Sequence, residues 1–264
     1  MRLIKAMIIA GGLGLVLTSC GSKTGDPQFK YSIDEFADIE VLRYQVPGWE
    51  DLTLQQKEYI YHLCEAAKSG RDITWDQNFA YNLEIRHLLE NILENYQGER
   101  KGEAWDAFLV YAKRVFFSNG IHHHYANDKI LPGCSRDYFA SLAQAVGADP
   151  ERTAGLLEVI FNPDLYPTLQ YQGTDKDLVQ ASAVNFYDGV TTQEVNDFYA
   201  KMEDPADPHP ISYGLNSKLV KKDGRIVELP WRADGLYGPA IKTIIEHLEA
   251  AREVAENDIQ KKYI

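Results

Sequence analysis

The chain has 264 residues, of which 45% are hydrophobic and 11% aromatic, enough apolar material for a folded core and too much for a disordered chain. Its formal net charge of −12 argues against a nucleic-acid binder and against a basic face that adsorbs to acidic membranes. Its cysteines, Cys20, Cys64 and Cys134, form no Cys-x-x-Cys pair.

The first residues read as a secretory signal. Arg2 and Lys5 give a positive start, and residues 7–17 form an apolar run too short and glycine-rich to span a bilayer. Leu17-Thr18-Ser19-Cys20 then resembles a bacterial lipobox, in which the signal is cut before the cysteine and the thiol is acylated. On that reading residues 1–19 are the signal peptide, Cys20 is the lipidation site, and residues 20–28, rich in Gly, Ser, Thr and Pro, are a tether. Buried acyl groups contribute about 0.8 kcal/mol per CH2, so a multiply acylated cysteine holds a folded domain on a bilayer. Removal of residues 1–19 takes away Arg2 and Lys5 but no acid, leaving −14 on the mature chain. The expected location is the bacterial cell envelope, lipid-anchored and facing the periplasm or the surface. The alternative is an ordinary signal peptide with a coincidental cysteine.

Downstream the pattern is mostly helical. Thr53 with Gln56 gives a capping-box signal for a helix whose apolar face runs through Ile60, Leu63, Cys64 and Ala67 and which Gly70 closes. Cys64 is therefore expected to be buried and free, a disulfide to Cys134 being the alternative that an oxidising periplasm would permit. Ile85, Leu88, Leu89, Ile92, Leu93 and Tyr96 hold 3/4 spacing up to Gly98. Further helices are expected over 105–117, 135–146, 151–160 and, capped by Thr191 with Glu194, 191–202. Proline at 205, 208 and 210 marks a possible sub-boundary near 204–210. Lys218-Leu219-Val220 and Arg225 to Leu229 flank Asp223-Gly224, a dipeptide that accepts the positive φ of a tight hairpin turn. A last helix places Ile241, Ile244, Ile245, Leu248 and Ala255 on one face, and its charged pattern runs on to Ile264 without a stop signal. The expected class is α+β, predominantly helical with a small β-hairpin or sheet element.

The densest chemistry lies after the helix over 105–117, whose face is Trp105, Phe108, Leu109, Ala112 and Phe116. Asn119-Gly120 reads as its stop, and Ile121-His122-His123-His124-Tyr125-Ala126-Asn127-Asp128-Lys129 follows. No core element needs three consecutive histidines, so they are expected on exposed, irregular backbone. With this run, Phe36-Ala37-Asp38, Leu42-Arg43-Tyr44-Gln45-Val46-Pro47-Gly48, Gly70-Arg71-Asp72-Ile73, Asp76-Gln77-Asn78, Tyr187-Asp188-Gly189-Val190-Thr191 and Pro210 to Ser217 together resemble the dipeptidyl peptidase III family of zinc exopeptidases, in its bacterial branch. Coverage runs over 29–264. The segment Gly70 to Asn78 matches the turn before the family's next helix. The family's His-Glu-x-x-Gly-His and Glu-Glu-x-Arg-Ala-Glu motifs occur nowhere in the chain, so what matches is the front part of a longer protein.

The resemblance implies the N-terminal lobe of a two-lobed metallopeptidase that releases dipeptides from the N-terminus of short peptides. Zinc belongs to the remaining catalytic lobe of the parent protein; none is expected to be bound by this fragment, which is expected to be inactive alone. Its share is one wall of the substrate cleft. Tyr125 best matches the aromatic that borders bound peptide in the family, with Asn119, His124 and Asp128 as further substrate-binding nominations from the same loop. Read without the family, the histidine run is either an exposed polar loop or a loop contacting substrate, because one local run offers at most two well-placed metal ligands. Neither His87-Leu88-Leu89-Glu90 nor His247-Leu248-Glu249 supplies a helical zinc pair, and there is no Gly-x-Ser-x-Gly elbow or phosphate loop. Two other functions fit the same chain: a non-catalytic peptide- or glycan-binding surface lipoprotein, and a purely structural or assembly module.

Overall fold

The computed structural model describes residues 29–264, divided into two units between Leu52 and Thr53. The signal, Cys20 and the tether lie outside the described residues.

The first unit is a hairpin that the sequence pattern does not announce. Strands β1 (Ser32–Phe36) and β2 (Ile39–Leu42) pair antiparallel, with Phe36 opposite Ile39, and Ala37 turns between them at φ 52°. Arg43 fastens its open end, donating from Nε to the Lys30 carbonyl at 2.9 Å and lying 4.5 Å above the Phe29 ring. A single 3-10 turn, Trp49–Asp51, completes it.

The second unit begins with helix α1 (Leu54–Ser69), and the capping box at Thr53 and Gln56 forms as expected. Its inward stripe is rotated from the expected one. Gln56, Tyr59, Ile60, Leu63 and Ala66 are buried or half-buried, whereas Cys64 and Ala67 are exposed, so the expectation of a buried Cys64 is wrong. The reason is the partner: α8 (Gly238–Glu253) lies antiparallel along that stripe. Gln55 Nε2 reaches the Val254 carbonyl at 3.0 Å at one end, and His62 meets His247 midway. Cys134 is the buried thiol, and both cysteines are free.

Gly70 both closes α1 and opens α2 (Arg71–Asn78), where a turn is expected from the resemblance. Helices α3 (Asn82–Asn95), α4 (Glu103–Ser118), α5 (Arg136–Ala145) and α6 (Pro150–Phe161) follow close to their expected bounds, α5 and α6 capped by Ser135 and Asp149. Their apolar faces meet in one core containing Trp75, Phe79, Leu89, Phe108, Phe139 and Ile160. Phe108 and Phe139 stand edge to face at 5.2 Å, and truncating either costs about 3–5 kcal/mol.

Beyond α6, strand β3 (Tyr187–Asp188) pairs parallel with β4 (Ser217–Lys222), and β4 pairs antiparallel with β5 (Arg225–Pro230). Asp223 and Gly224 both have positive φ, 49° and 75°, as a type I′ turn requires. Helix α7 (Thr192–Ala200) is held by the Thr191–Glu194 capping box, and Val195 packs with Val190 and Leu219 in a second small core. Residues 201–216 link α7 to β4 without a regular element. After α8 the chain does not run on as one helix. It breaks at Val254, and the Asn257 side chain accepts from Gln260 N to start α9 (Asp258–Tyr263). The class is thus α+β and predominantly helical. Among the described residues no helix is long and apolar enough to cross a membrane.

Candidate functional site

Helix α4 delivers the histidine run, and its end is built with care. Asn119 takes the left-handed conformation (φ 52°) that asparagine tolerates, and its carbonyl accepts from Asn78 Nδ2 at 3.1 Å. Gly120 follows at φ 153°, where a Cβ would come within 2.2 Å of Asn82 Nδ2. Asn82, fully buried on α3, donates to the Trp75 carbonyl at 3.1 Å and accepts from Ile121 N at 3.1 Å. It ties the start of the loop to the α2–α3 junction.

From Ile121 the loop is a narrow hairpin. Ile130 N donates to the Ile121 carbonyl at 2.7 Å, His123 N to the Asp128 carbonyl at 2.7 Å, and Asn127 N to the His123 carbonyl at 3.0 Å. Its return limb pairs outward as well. Lys129 N donates to the Pro167 carbonyl at 3.1 Å, and Leu169 N to the Asn127 carbonyl at 2.8 Å. Lys129 Nζ donates to the Asn162 and Leu165 carbonyls, 2.7 and 2.5 Å away, just past the C-terminus of α6; burial pulls its ammonium down to about 8. Residues 121–130 are therefore backbone-tied on both flanks, and the tip is Tyr125.

The three histidines occupy three different environments, which corrects the expectation that all are exposed. His122 is buried, 3% exposed, edge-on to Phe79 at 5.3 Å, and its Nε2–H donates to the Tyr166 carbonyl at 2.9 Å. Its Nδ1 is then the bare nitrogen, buried without a hydrogen-bond partner, and burial holds the imidazole below its ordinary value. Tyr166 presents that carbonyl from a φ of 52°, unusual for a bulky residue. His123 is half-buried and folds the tip, its Nδ1 accepting from Tyr125 N at 3.2 Å and Ala126 N at 3.0 Å. His124 alone is exposed, its Nδ1 3.4 Å from Ser118 Oγ.

Around His124 the rings form an exposed shelf. Phe117 stands edge-on to it at 5.1 Å, His123 stacks at 4.7 Å, and Tyr125 lies at 4.3 Å with 84% of its surface exposed. On one side of the hairpin a groove of about 940 Å³ runs along α4, lined by Asp106, Val110, Arg114, His123 and Asp128. On the other a groove of about 650 Å³ is lined by Asn127, Asp128, Tyr166, Thr168 and Tyr171. Asp128 borders both. His124 and Tyr125 stand together at the tip, whereas Asn119 sits at the helix end, where its left-handed backbone already accounts for its identity. Asn82 and Tyr166 were not singled out from the sequence, and Asn78 and Lys129 entered only as members of matched segments. The one available signal was Asn82, a polar residue opening the apolar stripe of α3.

Comparison with known proteins adds little chemistry. No protein-family model and no curated protein matches the chain. A solved structure, that of DPP III from Caldithrix abyssi, is similar over 81% of this chain with 18% identity and a TM-score of 0.47. The chain spans about 30% of the length of that protein. A likeness of this size assigns no residue a role.

A catalytic zinc site does not fit the described residues. No group of three or more His, Cys, Asp or Glu side chains among them is placed to hold a metal ion.

Proposed function

We propose that this chain forms one wall of the peptide cleft of a lipid-anchored, dipeptidyl peptidase III-like exopeptidase, with the shelf of Phe117, His124 and Tyr125 touching the substrate. The reading is supported by the sequence resemblance around residues 116–129 and, above all, by the exposure of Tyr125 at the tip of a backbone-tied hairpin. An exposed aromatic offers contact area at small conformational-entropy cost, and a pre-ordered loop binds with little further loss of entropy. Zinc, carried elsewhere in the parent protein, would polarise the scissile carbonyl and activate water. The residues described here would hold and orient the peptide. Asp128, which borders both grooves, would accept from a peptide amine or amide N–H. The anchor at Cys20 would keep the enzyme at the envelope.

The test is a paired measurement on Tyr125→Ala: affinity for tetra- and pentapeptides by calorimetry, and melting temperature. Affinity should fall about 5–10-fold, in line with the ~1 kcal/mol of an aromatic contact, while an exposed truncation leaves stability within about 0.5 kcal/mol. A large drop in melting temperature with unchanged affinity would remove Tyr125 from the site.

A second reading, a non-catalytic peptide- or glycan-binding lipoprotein, draws equally on the exposed rings of Phe117, His124 and Tyr125. Coding sequence beyond Ile264 separates the two. An in-frame His-Glu-x-x-Gly-His supports the peptidase; its absence from the complete gene supports the binder.

A further inference from the structure

We propose that His62 and His247 form a binding site for a divalent transition-metal ion of the zinc class, clipping α1 to α8. The two histidines are 185 residues apart in sequence, and folding brings their Nδ1 atoms to 3.3 Å. Two nitrogens each about 2.0–2.1 Å from a tetrahedral zinc stand about 3.3 Å from one another. The ring centroids are 5.7 Å apart and the planes inclined at 38°, so the Nδ1 edges are the parts of the rings that face each other.

The surroundings suit a ligand pair. Both rings are half-buried, leaving a side from which water can fill the remaining coordination positions. Their backbones are fixed by helix packing and by Gln55 and Gln56, which reach across to the Val254 carbonyl at 3.0 Å and the Glu256 carboxylate at 2.9 Å. No third His, Cys, Asp or Glu joins them among the described residues, so the site holds its ion by two imidazoles and water. It is thus an open, modest-affinity site, and borderline metals that favour imidazole are its class. Without metal one ring donates Nδ1–H to the other; on binding the donor ring shifts to its Nε2–H tautomer, so that both Nδ1 lone pairs face the ion.

The experiment is titration of the 264-residue chain with zinc chloride by calorimetry, with long-range ¹H–¹⁵N spectra of the histidine rings. The proposal expects one zinc per chain, shifts of both the His62 and His247 Nδ1 resonances, and a melting temperature that rises with zinc. Merely orienting a ligand is worth about 10–100-fold in metal affinity, so His62→Ala and His247→Gln should each weaken binding at least about tenfold. The His123→Ala/His124→Ala double variant should leave it unchanged. Shifts confined to the histidines of the 122–124 run, loss of binding only in that double variant, or no zinc binding at all would each overturn the proposal. If a helix variant fails to fold, the ring shifts in the unaltered chain decide alone.

Discussion

His122 carries a pH dependence that follows from its burial. Burial depresses its folded-state value below the ordinary 6.5, with a smaller opposing effect from the Tyr166 carbonyl. Between the folded value and 6.5 the unfolded chain therefore binds more protons than the native one, so the stability from a neutral His122 is complete above about pH 6.5 and declines as pH falls through that window. Urea midpoints at about pH 7.5 and about pH 5 should show a smaller acid loss in His122→Gln than in the unaltered chain. Equal losses would mean that the ring is protonated in the folded state. Sequence could not tell His122 from His124, because identical side chains two positions apart acquire their burial from Phe79 and Tyr166, which approach from other segments.

At the scale of elements, α2 and α3 are joined by a buried cation. The Arg86 side chain, 5% exposed, donates to Asp72 and Glu90, each at 2.7 Å, and lies 5.3 Å above the Trp75 ring. Removing the charge and keeping the volume is a mild change, since a buried ion pair roughly breaks even with a well-packed apolar side chain. Arg86→Met should thus cost less than about 1 kcal/mol, whereas Asp72→Asn/Glu90→Gln, which strands the guanidinium, should cost about 3 kcal/mol by chemical denaturation. The reverse order would refute this reading. Periodicity and capping made α1 and α3 to α7 legible, and Asp223-Gly224 made the β4–β5 hairpin legible. What escaped depends on partners. Strand β3 is two residues long and exists through its pairing with β4, and β1 covers Ser32, Asp34 and Phe36 while exposing Ile33, so its alternating burial has no matching apolar–polar alternation in the sequence. The stripe of α1 was read one position off because α8, not α1, decides which side is covered.

For the whole molecule the leader and the loop carry different weights. The anchoring expectation rests on Leu17-Thr18-Ser19-Cys20. Expressed with its own leader, the protein should partition into detergent and carry a lipid mass on Cys20, and Cys20→Ala should release it or leave it unprocessed; a mature, unmodified terminus elsewhere would sink the idea. The nominated loop was visible as an anomaly in sequence, but its two flanking grooves were not, since their walls come from α4 and from residues 164–182.

The pairing of α1 with α8 also sets a timetable. The half-buried stripe of Tyr59, Ile60 and Leu63 lies against a helix that begins at Gly238, and no local contact substitutes for it. At ribosomal rates of ~5–20 residues per second, the 185 residues between His62 and His247 take roughly 10–40 s to synthesise. Throughout that interval α1 has an uncovered apolar side, and closing so long a loop comes late for entropic reasons. A nascent or proteolysed chain ending before α8 would therefore be a sticky species until α8 completes what α1 began.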